Sequence, residues 1–297
     1  MQTNNQKIKV MNFSFHRHSI IPVFLVISMG HFGCQPSSST DSKASTLPEA
    51  TETASIDQLQ GTWKLLAAKW NADTKQFADN TIYKIYTRGR FALLFYNPAD
   101  NSFAGAGGGT YTADADQFTE RLEYFSFDTT AVGSAQTYHY EIRDGILHQS
   151  GTLNTDKYPD YPIHEFYERV EPGIGTLEEK HPLVGVWNIE EASYGGEKRD
   201  IAARYGKVIK IITPGYFYGA FFNPETGSFN GVTFGAWKAE GDQYTETIAA
   251  YSWDASAVGK TYSFNWKVEG NKFYQTGRIN SDRYKDYEIR EVSGRLE

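Results

Sequence analysis

The sequence predicts an all-β protein: two tandem eight-stranded antiparallel up-and-down barrels. Three observations predict it. The composition is strand-forming, with 20 Tyr, 19 Phe, 6 Trp and 27 Gly against 10 Pro, 3 Met and 1 Cys in 297 residues; aromatic residues suit a pleated, half-buried surface and glycine suits tight bends. Short segments of alternating hydrophobicity are punctuated by turn residues. The second half of the chain also repeats the first, since residues 82–165 laid on 208–291 at an offset of 126 give about 31 identities in 84 positions without a gap.

The N-terminal segment, residues 1–33, carries Lys7, Lys9 and Arg17 and no acid, followed by the apolar run Ile20 to Ile27 and small or neutral residues up to Gly33. This is the anatomy of a signal peptide, and its apolar run is about half the length of a membrane-spanning helix. The lone cysteine, Cys34, falls at the expected cleavage point. The pattern resembles a bacterial lipoprotein signal, which implies that Cys34 becomes the lipidated first residue and ties the chain to a membrane. Residues 34–57 are rich in Ser, Thr and Ala and too poor in apolar residues to order themselves, so they read as a flexible tether.

The first barrel is expected over 58–171, with strands near 61–70, 82–87, 90–97, 103–113, 117–127, 136–144, 146–153 and 163–170. Turns fall at Arg88-Gly89, Asn97 to Asn101, Asp114 to Asp116 and Asp144-Gly145. Eight antiparallel strands in about 110 residues suit a closed barrel, which leaves no exposed edges and has room for one small ligand; a sandwich is the alternative. A linker follows at 172–180. The second barrel is expected over 181–297, opening at Gly185-Val186-Trp187 as the first opens at Gly61-Thr62-Trp63.

The Gly-x-Trp opening, with Tyr83-Lys84-Ile85, Gly108 to Tyr111, Phe118-Thr119-Glu120 and the closing Glu165 to Arg169, resembles the lipocalin-like, or calycin, domains of unknown function found in secreted and membrane-anchored proteins of Bacteroidota. The second copy keeps Gly185, Trp187, Lys210-Ile211, Tyr244 to Glu246 and Glu291 to Arg295. The resemblance implies that each Trp closes one end of a barrel and that an Arg of the last strand packs on it: Arg169 on Trp63, and Arg295 on Trp187. These are structural roles, and such folds do not fix a function.

Period-two alternation places Phe118, Glu120, Leu122, Tyr124 and Ser126 on one face of the fifth strand, and Tyr244, Glu246, Ile248, Ala250 and Ser252 on its counterpart. That face is expected to point inward, which sets Glu120 and Glu246 on an apolar wall. A buried carboxylate needs a partner. Lys84 and Lys210 are the candidates, joined by Gln149 and Gln275. Two readings follow: an apolar cavity with a few converging polar groups, the make-up of a small-molecule site, or an internal salt bridge in a filled barrel. If the cavity is open, Tyr124, Tyr138 and Tyr140 are expected to line it, with Phe264 and Trp266 in the second copy.

Several chemistries drop out. The formal net charge of −7 moves to about −10 once residues 1–33 are removed, which counts against a nucleic-acid partner, since that would need a Lys/Arg-rich face. One cysteine excludes an internal disulfide framework and a Cys-rich zinc site. His139, His148 and His164 align with Asn265, Tyr274 and Arg290, which argues against a shared histidine metal or catalytic centre. Gly105 to Gly109 lacks the Gly-Lys-Ser/Thr ending of a phosphate loop. Asn154 to Tyr161 lacks the central Gly and terminal Glu of a calcium-binding hand, so it reads as a turn with Asx caps. No cofactor, metal ligand or catalytic residue is assigned. The expectation is a lipid-anchored envelope protein, on the periplasmic or outer-surface side, that binds a small apolar or amphipathic molecule in one or both barrels. Two alternatives stand beside it: an enzyme using Glu120 or Glu246 as a general acid or base, and a non-enzymatic interaction module of the envelope.

Overall fold

A computed structural model describes residues 57–71, 73–75, 81–170 and 180–296. The expected signal segment, Cys34, the tether up to residue 56 and all but the last residue of the linker lie outside the described residues.

The first copy contributes β1 (Gly61–Trp70), β2 (Asp73–Lys75), β3 (Thr81–Thr87), β4 (Arg90–Asn97), β5 (Ser102–Ala113), β6 (Gln117–Phe125), β7 (Ala135–Arg143), β8 (Ile146–Leu153) and β9 (Tyr161–Arg169). Every neighbour is antiparallel, in the order β1-β3-β4-β5-β6-β7-β8-β9, and β9 returns to pair with β1. That return makes an eight-stranded closed barrel and excludes a sandwich. The short β2 is a hairpin extension of β1 that alternation does not reveal, being three residues long. The hairpins β3–β4 and β7–β8 turn through Arg88-Gly89 and Asp144-Gly145, where both residues have positive φ, the primed turn whose twist matches that of flanking strands.

The second copy repeats the plan with β10 (Gly185–Tyr194), β11 (Glu197–Arg199), β12 (Lys207–Thr213), β13 (Tyr216–Asn223), β14 (Ser228–Glu240), β15 (Gln243–Tyr251), β16 (Thr261–Glu269), β17 (Lys272–Ile279) and β18 (Tyr287–Arg295), closed by β10–β18. It adds a one-turn helix, α1 (Ile201–Tyr205), whose Asp200 side chain caps the Ala203 N–H.

The two barrels share a wall. Ile85, Ala92, Leu94, Ala106 and Tyr124 of the first pack into one buried cluster with Ile209, Ile211, Tyr218, Phe222 and Phe234 of the second. Strand β3 faces its own counterpart β12, and β5 meets β15 as β14 meets β6, the reciprocity of a pseudo-two-fold contact. Phe103 and its counterpart Phe229 stack on each other with centroids 5.7 Å apart. Thr62 and Thr213 hydroxyls meet at 2.8 Å, and Lys207 reaches Glu123 at 3.3 Å.

One feature of β6 changes which side chains enter the barrel. Gly108 pairs with Tyr124 but Gly109 pairs with Leu122, leaving Glu123 as an extra residue. Such a bulge reverses the alternation beyond it. Tyr124 therefore points into the shared wall rather than the interior, and Phe125 and Phe127 take the inward positions. The second copy has the same bulge at Ala249, between Ile248 and Ala250, which sends Tyr251 and Trp253 inward. Glycine is needed opposite: a Cβ on Gly109 would lie 2.0 Å from the Arg121 carbonyl oxygen, and one on Gly235 would lie 2.0 Å from that of Thr247.

Candidate functional site

Each barrel is closed at the end where its first strand begins. The Trp63 indole is buried and donates to the Leu59 carbonyl at 2.7 Å, and the Arg169 guanidinium lies over its ring at 4.1 Å while donating to the Gln58 carbonyl at 2.8 Å. Trp187 and Arg295 repeat this, with the indole on Leu183 at 2.8 Å and the guanidinium again 4.1 Å from the ring. The opposite end of barrel 1 opens into a cavity of about 290 Å³.

A polar group forms the floor of that cavity. The Lys84 ammonium, 4 % exposed, donates to Glu120 Oε1 at 3.1 Å and to Gln149 Oε1 at 2.9 Å, and the Tyr86 hydroxyl donates to the same carboxylate oxygen at 2.7 Å. β3 supplies Lys84 and Tyr86, β6 supplies Glu120 and β8 supplies Gln149. The ammonium also sits within 6 Å of the Phe118 and Tyr138 ring centroids, at 5.7 and 5.5 Å. Pairing of this kind offsets the cost of burying each charge. Burial, followed by the Glu120 charge, pushes the Tyr86 and Tyr138 phenols well up. The Gln149 side-chain nitrogen is buried and has no hydrogen-bond partner among the described residues.

Above the floor the wall is aromatic and aliphatic: Trp70, Phe91, Phe95, Leu122, Phe125, Phe127 and Tyr138, with Tyr158 and Tyr161 at the rim. The rim is fixed by Asp128, whose carboxylate accepts the Thr130 N–H at 3.1 Å and the Lys157 N–H at 3.2 Å. The loop 154–161 is thereby docked as a hydrogen-bonded turn at the mouth. Glycines in β5 make room for the rings. A Cβ on Gly105 would fall 2.2 Å from Phe127, and one on Gly107 2.8 Å from Phe125.

Glu165 also lines the cavity, which alternation alone does not reveal. It is 6 % exposed and accepts the Trp70 indole N–H at 2.8 Å and the Tyr167 hydroxyl at 2.8 Å. The signal was present: its counterpart Glu291 is retained at the same offset, next to an inward Tyr or Ser at position 167 or 293. The sequence instead marked Glu165 only as the start of the closing strand.

Barrel 2 carries the same floor in tighter form. Lys210 donates to Glu246 at 2.6 Å and to Gln275 at 2.7 Å. Tyr86 is replaced by Ile212 and Phe118 by Tyr244, whose buried hydroxyl is pushed to higher pKa by burial and then by Glu246. Glu291 accepts the Tyr194 hydroxyl at 2.9 Å, and burial raises its pKa despite the opposing pull of Lys210. The cavity is smaller, about 160 Å³. Its mouth is crowded by Tyr205 from α1, Tyr251, Trp253, Tyr284 and Tyr287, joined by edge contacts such as Phe221–Trp253 at 5.0 Å and Tyr251–Trp253 at 4.9 Å.

Of the expected cavity residues, Lys84, Glu120, Tyr138 and Gln149 line the first cavity, and Lys210, Glu246, Phe264 and Gln275 line the second. Three do not. Tyr124 is turned into the shared wall by the bulge and meets Tyr218. Tyr140 and Trp266 lie beyond the floor toward the closed end, because each is two residues further along its strand than the inward Tyr138 or Phe264. The Tyr140 hydroxyl donates to the Asp114 carbonyl at 2.9 Å, and Trp266 packs on His181 at 5.5 Å. Among the described residues no group of three His, Cys, Asp or Glu side chains is arranged to hold a metal ion.

Residues 58–175 match the family described as Domain of unknown function (DUF4488). No curated protein matches the chain. Among solved structures, the chain is similar to a mutant of the vaccine antigen Transferrin Binding Protein B from Haemophilus parasuis Hp5, with 10% sequence identity and a TM-score of 0.24. That similarity covers 76% of this chain and 63% of that one. The protein is thus a pair of tandem eight-stranded barrels, of a fold able to bind a ligand or a partner, whose first copy matches a domain family of undefined activity.

Proposed function

We propose that the protein is an exported, lipid-anchored binding protein whose first barrel holds one small apolar or amphipathic molecule. The observation that carries this reading is the first cavity: about 290 Å³, walled by aromatic and aliphatic side chains, with a floor that includes the Gln149 amide nitrogen, which has no hydrogen-bond partner among the described residues. An apolar hollow with a few converging polar groups is the usual form of a small-molecule site. Support for export and anchoring comes from residues 1–33 and Cys34, and support for a calycin-like role from the Gly-x-Trp opening and its arginine. The capture of Glu120 by Lys84, and of Glu246 by Lys210, favours binding over general acid–base chemistry, which needs a carboxyl free to exchange a proton with substrate.

The test is titration of the purified protein with N-phenyl-1-naphthylamine, a neutral probe whose fluorescence rises in apolar surroundings. The reading expects saturation at one site per chain and its loss in Leu122→Trp, which fills the cavity. Absence of saturable binding to the folded wild type overturns it.

A second reading, an interaction module, is favoured by a different feature. The outer wall of barrel 2 carries a polar surface groove lined by Gln243, Lys260, Ser263, Asn265, Arg278 and Asn280. A photo-crosslinker placed at Asn265 in the native host yields one discrete protein adduct on this reading, and none if the groove is unused.

A further inference from the structure

We propose that the molecule held in barrel 1 is an amine, carried as a cation on an apolar or aromatic body. The inference rests on the binding reading above and adds the charge of the guest.

The cavity wall holds one ammonium, that of Lys84, and two carboxyl groups, those of Glu120 and Glu165. Lys84 is committed to Glu120 and Gln149. Glu165 has no cationic partner among the described residues: its two oxygens accept from an indole and a phenol, both neutral. An ionised carboxylate offers about four lone-pair sites, so two remain after those bonds. A buried carboxylate without a counter-charge is costly, and a cation brought by the ligand removes that cost.

The rings supply the second half of the recognition. Trp70, Phe95, Phe127, Tyr138, Tyr158 and Tyr161 surround the same space. Aromatic faces attract a cation and also cover the apolar body to which it is attached. The cavity, about 290 Å³, is roughly twice the ~150 Å³ hollow that accepts a benzene ring, so an aromatic or short-chain amine fits.

Barrel 2 provides the contrast. Its corresponding carboxyl, Glu291, is driven toward the neutral form by burial, and aromatic side chains crowd its mouth. In barrel 1 Glu165 instead lines a larger space open at the rim.

The experiment displaces bound N-phenyl-1-naphthylamine with a matched series at pH 7: 2-phenylethylamine, 2-phenylethanol and phenylacetate. These differ in the charge of one terminal group. The amine is expected to bind at least about tenfold more tightly than the alcohol, and the acid most weakly. Glu165→Gln, checked for folding by circular dichroism, is expected to bring the ratio of amine to alcohol affinity to about one. If the alcohol or the acid competes as well as the amine in the wild type, the amine assignment is overturned while the binding reading stands. If the probe itself does not bind, both fall. The wild-type comparison decides the matter even if the variant misfolds.

Discussion

The hydroxyls of Tyr124 in barrel 1 and Tyr218 in barrel 2 meet at 3.0 Å in the wall between the barrels. The positions that the duplication relates to them are Ala250 and Ala92, both buried in the same wall. A symmetric contact has thus become one bulky pair and one small pair. Burial, and then Tyr218, pushes the Tyr124 phenol well up, so the bond is between neutral groups. Tyr124→Phe should cost about 1 kcal/mol, the net value of such a bond. Tyr124→Ala should cost about 3–5 kcal/mol through the cavity it leaves. Urea unfolding checks both, and an alanine variant as stable as the phenylalanine one would contradict the packing role.

Lys84 is held among Glu120, Gln149 and several rings, so removing it strands a buried carboxylate. Lys84→Met should lower stability by about 3–5 kcal/mol. The double change Lys84→Met with Glu120→Leu should recover much of the loss, because apolar replacements of a buried pair are often neutral. Chemical denaturation of the two variants reads the difference. No recovery in the double variant would mean that the ion pair contributes more than mutual neutralisation.

Stability should depend on pH in opposite senses at two carboxyls. Burial raises the folded pKa of Glu291, so its contribution is fully present below the ordinary glutamate value and is lost as pH rises through the folded one. Glu291→Gln does not titrate and should gain in melting temperature relative to wild type between pH 4 and pH 8. At Asp254, burial acts upward but is outweighed by hydrogen bonds from the Ser281 and Ser256 side chains and the Arg283 N–H, which hold its carboxyl well below the usual range. Its contribution is present above the ordinary aspartate value and is lost as pH falls. Asp254→Asn should therefore be destabilising at pH 7, with the difference shrinking in acid. Thermal melts across pH test both; parallel curves for variant and wild type would remove either assignment.

Glycine tolerance along β5 should differ by position. A Cβ on Gly109 meets the Arg121 carbonyl oxygen at 2.0 Å, which only a backbone shift at the bulge relieves. A Cβ on Gly108 meets the end of the Tyr124 side chain at 2.2 Å, though the Phe91 carbonyl oxygen also lies 2.8 Å away. Gly109→Ala should cost more than Gly108→Ala, and a Tyr124→Phe background should partly rescue the second alone. Melting temperatures of both alanine variants, each in the wild-type and the Tyr124→Phe background, decide it.

The barrels were legible because their signals are local or repeated. Strand limits follow from turn residues such as Arg88-Gly89, and the duplication marks Lys84, Glu120 and Gln149 by retaining all three. The cavity lining was only partly legible. Strict alternation carries Tyr124 inward, whereas one extra residue at Glu123 reverses the pattern and brings in Phe125 and Phe127. A bulge leaves little trace in a hydrophobic pattern when aromatic residues occupy both faces, as they do at Tyr124 and Phe125. Helix α1 was missed because five residues with one buried side chain give no periodicity to read. Trp70 and Glu165 escaped because their pairing across β1 and β9 depends on how the barrel closes.

The divergence of the shared wall also makes each half hostage to the other. Tyr83 lies against Phe234 at 4.8 Å, whereas their related positions are Ile209 and Gly108; Glu123 finds Lys207, where the related pair is Ala249 and Thr81. A gene carrying one copy alone would encode a barrel whose apolar flank has lost the surface shaped to cover it, and a chain carrying the same copy twice would lose the Glu123–Lys207 pair. Recombination within this lineage therefore meets a barrier that did not exist when the two copies were identical, and the fusion is hard to reverse.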